Sequence, residues 1–133
     1  MSLEIHEREK EGIRIFDLSG RMTVGEAAAV RDRTRELLAE GARRFLFNLQ
    51  EVDYIDSTGL GVLVMCYTAV EKAGGGLKLL NLNRRNVELL VLTKLITVFE
   101  IFNDEQDAVN SFFPNREIRR FDILEFVRQQ REE

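Results

Sequence analysis

An α/β domain built on a largely parallel sheet is the fold class this sequence predicts, and three observations predict it. Short apolar runs of strand length alternate with amphipathic stretches of helical period, an alternation that calls for crossover connections. The run Phe45-Leu46-Phe47-Asn48-Leu49 is almost continuously apolar, as a strand covered on both faces has to be. The 133 residues are 44% hydrophobic and 32% charged, proportions that suit one compact domain with a substantial core.

Taken in order, Leu3 and Ile5 alternate with charged neighbours, and Ile13, Ile15 and Leu18 follow Glu11-Gly12, so the chain is expected to open with a hairpin. Thr23-Val24-Gly25-Glu26 fits a capping box, with Thr23 accepting the Glu26 amide and the Glu26 side chain reaching back. The helix it introduces ends near Gly41 and keeps Ala27, Val30, Thr34, Leu37 and Leu38 on one face. Phe45–Leu49 is then the central strand. After Val52-Asp53-Tyr54-Ile55 comes Asp56-Ser57-Thr58-Gly59, leading into a helix with Leu60, Leu63, Val64, Tyr67 and Val70 inward and Gly74-Gly75-Gly76 at its end. Leu77–Leu82 is the next strand, Val87–Leu92 a third helix, Thr97–Phe102 a fifth strand and Asp104–Phe113 a fourth helix, closed by Pro114.

The order ββαβαβαβα thus describes one domain over residues 1–114, with a mixed, mostly parallel sheet of four or five strands flanked by helices. Phe45, Phe47, Leu49, Leu60, Leu63, Val64, Leu79 and Val98 are its expected buried residues. Residues 115–133 form an amphipathic extension carrying Ile118, Phe121, Leu124, Phe126 and Val127. A helix is expected there, covering a patch on its own domain or, in a homo-oligomer, on a second copy.

Composition narrows the function classes. Nineteen Lys and Arg against 23 Asp and Glu leave a net charge of −4, which attracts no polyanion, so direct nucleic-acid binding is not expected. The longest apolar stretch, Leu60–Val70, is far short of the roughly 20 residues of a membrane span. The polar, alternating N-terminus has no secretory pattern, which points to the cytoplasm. With Cys66 the single cysteine and His6 the single histidine, neither an internal disulfide nor a Cys/His metal site can form, and no cofactor is implied. Ser57 lacks a G-x-S-x-G elbow and a choice of base, so serine hydrolysis, and enzymatic activity generally, is not expected. Glu51, Asp53 and Asp56 are read as loop surface, and the triple glycine as a helix end.

Asp56-Ser57-Thr58-Gly59-Leu60-Gly61 stands out at a strand-to-helix junction. Its residues suit N-capping, and Gly59 suits the close approach of another backbone. A hydroxyl at a helix N-terminus is also well placed to carry a phosphate, because free amides and the macrodipole favour negative charge there. The two readings are compatible.

This hexapeptide resembles that of the STAS domains of bacterial anti-sigma factor antagonists. Leu18-Ser19-Gly20, Phe47-Asn48-Leu49 running into Val52–Ser57, and the glycine turn before Leu77-Lys78-Leu79-Leu80 support the resemblance, which spans about Leu3 to Phe113. It implies that Ser57 is phosphorylated by a partner that is both anti-sigma factor and serine kinase. The unmodified form would bind that partner and free a sigma factor, and a PP2C-type phosphatase would restore it. Asp56, Thr58, Gly59, Leu60 and Gly61 would frame the docking surface, with Met22 and Thr23 nearby. Thr23 stands where many relatives carry an acid. The alternative is a non-catalytic STAS subunit of a sensory or transporter-associated assembly, with the serine serving only as an N-cap.

Overall fold

In a computed structural model of the chain, residues 3–118 are described, and they form the expected α/β domain. Strands β1 (Glu4–Lys10) and β2 (Ile13–Met22) make the hairpin. Its two-residue turn places Glu11 and Gly12 at φ +53° and +81°, the left-handed pair of a tight hairpin that follows strand twist. The elements that follow are α1 (Ala28–Ala39), β3 (Arg44–Ile55), α2 (Ser57–Lys72), β4 (Gly76–Leu80), α3 (Arg84–Leu92), a 3-10 turn at Leu95–Thr97, β5 (Ile101–Phe102) and α4 (Glu105–Asn110).

The five strands lie in sequence order, β1 antiparallel to β2 and each later neighbour parallel. Successive strands joined by right-handed crossovers put every connecting helix on the same side. Accordingly α1, α2 and α3 share one core with Phe16, Phe45, Phe47 and Leu79, in which the Phe16 and Phe47 rings stack 5.0 Å apart. The opposite face, with Ile13, Ile15, Leu46, Leu80 and Phe102, is covered by Ala108 and Val109 of α4 and by Phe112, Phe113 and Ile118. The central run of β3 therefore feeds both cores, with Phe45, Phe47 and Leu49 to one side and Leu46 to the other.

Several sequence expectations need correction. The fifth strand shrinks to two residues, because Lys94 turns left-handed at φ +65° and Leu95–Thr97 coils into the 3-10 turn. Val98 falls on the loop after that turn and is 38% exposed, not buried. Leu60 and Val64 are only half-buried, at the rim of the helical stripe, whereas Phe45, Phe47, Leu49, Leu63 and Leu79 are fully enclosed. The capping box does not form. Gly25 at φ +86° bends the chain so that the backbone carbonyl of Thr23 takes the Glu26 and Ala27 amides, while the Glu26 carboxylate accepts from the Leu3 amide. The α3 helix starts earlier than its apolar pattern, since Asn83 caps it by accepting from the Asn86 amide. Most of the 115–133 extension lies outside the described residues. Where it begins, Arg116 pairs with Glu11 and Ile118 packs on the second core.

Candidate functional site

The carboxyl end of β3 delivers Asp56 in an extended conformation, and α2 starts at the next residue. One Asp56 oxygen accepts from the Gly59 amide at 2.8 Å, which closes the first turn as an N-cap does. The other accepts from Val24 at 3.3 Å, and the Asp56 amide donates to the Met22 carbonyl at 3.1 Å. One residue thereby joins the end of β2, the turn after it and the head of α2. Gly59 completes the joint: a Cβ there would lie 2.1 Å from the Met22 carbonyl oxygen, so only glycine lets β2 and α2 meet.

These contacts bring the expected residues into one corner and separate their roles. Met22 is fully buried and Gly59 is buried, so both position the corner from beneath. Thr23, Leu60 and Gly61 are half-buried, and Ser57 and Thr58 are exposed. Ser57 is the first residue of α2, not its cap, and among the described residues its hydroxyl has no hydrogen-bond partner. The first turn of α2 carries no acidic side chain. Beyond the Asp56 cap no acidic side chain offsets the amide pole of α2, and an exposed hydroxyl stands upon it.

Beside Ser57 a groove of about 420 Å³ opens between the head of α2 and α3. Tyr54, Leu60, Arg85, Asn86, Leu89 and Leu92 line it along with Asp56 and Ser57. Strand register sets Arg21 against Tyr54, and the Arg21 and Arg85 guanidinium carbons stand 4.8 and 4.3 Å from the centre of that one ring. Among the described residues neither arginine pairs with a carboxylate. Leu92 leaves 82% of its surface exposed at the edge of the groove. Asn83 and Asn86 anchor α3 by donating their side-chain amides to the Val52 carbonyl at 3.2 and 3.1 Å.

Arg21, Tyr54, Arg85 and Leu92 escape sequence reasoning because they come together only when β2 pairs with β3 and α3 crosses over β3. A local signal exists for one of them. Arg84 and Arg85 occupy the first turn of α3, where the macrodipole disfavours cations, and Arg84 is compensated by Glu88 at 3.0 Å. The other reactive side chains stand apart from this corner. His6 lies on β1 opposite Asp17, and burial pushes the Cys66 thiol up to about 11, leaving it an inert core group. Among the described residues no cluster of three or more His, Cys, Asp or Glu is placed to hold a metal, and no helix is long and apolar enough to cross a membrane.

Comparison with known proteins agrees with this geometry. The family model described as STAS domain matches residues 4–108. The anti-sigma-B factor antagonist of Bacillus subtilis (strain 168) is 34% identical over 109 residues, covering 82% of this chain and 99% of that protein. Among solved structures, an anti-sigma factor antagonist from Mycobacterium paratuberculosis superposes with a TM-score of 0.74 at 20% identity, covering 84% of this chain and 94% of its own. The Bacillus cell fate determinant SpoIIAA in its phosphorylated form gives 0.66 at 16% identity, over 81% and 98% of the two chains. Likeness at such low identity is likeness of fold.

Proposed function

The chain belongs to the STAS domain family, and on that premise we propose that it is an anti-sigma factor antagonist switched by phosphorylation of Ser57. The unmodified protein binds an anti-sigma factor that is also a serine kinase, and so frees a sigma factor in the cytoplasm. Phosphorylation ends the interaction and a PP2C-type phosphatase restores it. The protein acts by binding and catalyses nothing itself.

One observation carries this reading: the Ser57 hydroxyl stands exposed, and unengaged among the described residues, at the first position of α2 while Asp56 does the capping. A serine needed only as a cap would be spent on a backbone amide. Freed from that duty, it can accept a phosphate without loss to the fold, since the added charge of about −1.5 to −2 meets the amide pole of α2. The half-buried Leu60 and the exposed Leu92 give a partner an apolar surface beside it, with Thr58 and Gly61 on the same turn. A partner closing over Ser57 must strip water from the phosphate near Asp53 and Asp56. Stripping water from such an ion costs several kcal/mol, or about a hundredfold or more in affinity.

The test is capture of the anti-sigma factor from the native host on immobilised protein, followed by calorimetry with the purified partner. Tight binding by unmodified protein and by Ser57→Ala is expected, with strong loss on phosphorylation and partial loss in Ser57→Asp. Equal affinities across all four forms would refute the switch.

A further inference from the structure

We propose that Arg85, assisted by Arg21, is the internal receptor for the Ser57 phosphate, so that phosphorylation closes the α2–α3 groove from within. This deepens the reading of Ser57 as the phosphorylated residue and rests on it. Arg85 and Ser57 line the same groove, so the guanidinium and the modified side chain share one space. Both arginines flank Tyr54 and neither has a carboxylate partner among the described residues. Arg85 moreover sits in the first turn of α3, against the macrodipole, a placement that no carboxylate among the described residues compensates.

A half-solvated contact with a ring holds a guanidinium weakly, whereas two oxygens of a phosphate can accept from its planar fork in a bidentate, charge-assisted pair. The other charges facing the groove are Asp56 and Glu88. Asp56 is occupied by the Gly59 and Val24 amides, and Glu88 by Arg84. Both would repel a phosphate, which leaves Arg85 as the group that offsets them. The domain already uses this arrangement elsewhere. Glu105 follows the Asp104 cap as Ser57 follows Asp56, and its carboxylate at the head of α4 is held by Arg8 from another element at 3.0 Å. Phosphorylation gives α2 an anion at the same helical position. Once Arg85 swings from Tyr54 to the phosphate, a partner side chain can no longer enter between Leu60, Leu89 and Leu92.

The experiment installs phosphoserine at position 57 by genetic-code expansion and follows the phosphate by 31P NMR through a pH titration. In the otherwise unchanged protein the second ionisation is expected below the ordinary midpoint of about 6. It should move back up by about half a pH unit or more in Arg85→Gln, by less in Arg21→Gln, and lie between in Arg85→Lys, whose point charge lacks the guanidinium fork. Identical midpoints in all four proteins would overturn the clamp. Partner affinity measured on the same samples separates this proposal from the one beneath it. If phosphorylation weakens binding while the midpoints coincide, the clamp is wrong and the switch stands. If phosphorylation leaves binding unchanged, the switch reading itself fails. Arg85 is exposed and makes no ion pair among the described residues, so its replacement is expected to leave the fold intact, which thermal unfolding of the variant checks.

Discussion

Helices α2 and α4 open on the same device and then diverge. Asp56 accepts the Gly59 amide at 2.8 Å, and Asp104 accepts the Asp107 amide at 3.0 Å. At the next position α4 places Glu105, whose carboxylate is clamped by Arg8 together with Asp17 and tied to Lys10, so the anionic site at its head is filled permanently. In α2 that position is Ser57, uncharged, exposed and without a bonding partner among the described residues. Two residues further on, α4 carries an ordinary side chain at Asp107, whereas α2 carries Gly59 pressed on the Met22 carbonyl. One helix is locked to its sheet by charge. The other is locked by backbone contact, which leaves its surface free to be modified.

The largest effect expected from breaking this contrast is Gly59→Ala. A methyl group 2.1 Å from a carbonyl oxygen forces β2 and α2 apart, and a loss of about 3 kcal/mol is expected in urea denaturation. Removal of the caps comes next. Asp56→Ala withdraws the acceptor of two amides and should cost about 2 kcal/mol, against about 1 kcal/mol for Asp104→Ala, which withdraws one.

Acidity then tests α4. The hydrogen bond from Arg8 holds the Glu105 carboxyl below its ordinary value. A group whose pKa is depressed by folding stabilises fully above its unfolded value, about 4.3, and loses that contribution as pH falls through the folded value. Both partners are about one-third exposed, which limits the contribution to about 1 kcal/mol. Glu105→Gln should therefore destabilise by that amount at pH 7 and progressively less as the pH falls below about 4, as read from amide exchange in α4. The smallest effect is expected for Ser57→Ala, within about 0.5 kcal/mol of the unmodified protein in thermal unfolding, because the hydroxyl has no partner to lose among the described residues. A larger cost would mean that α2 depends on Ser57 as α4 depends on Glu105.

Much of the fold can be read along the chain because local periodicity carries it. The hairpin follows from alternation around Glu11-Gly12, the centrality of β3 from its continuous apolar run, and the head of α2 from the Asp-Ser-Thr-Gly string. Errors gather where local signals compete. Thr23 and Glu26 have capping chemistry, but the Gly25 turn and the Leu3 amide claim their polar groups first. Around Val98 an apolar run looks like a strand, yet β4 offers β5 only the partners of Ile101 and Phe102.

By itself, then, the sequence determined the element order, the strand with two covered faces, and the serine at a helix head, since each depends on residues near one another in the chain. Tertiary structure alone decided that Asp56, besides capping α2, ties it to the end of β2, because those bonds go to Val24 and Met22. It also decided that Arg21 and Arg85 close on one tyrosine beside that serine. The pairing arises from parallel register between β2 and β3 and from the crossover that carries α3 over β3, and no spacing along a single element encodes it.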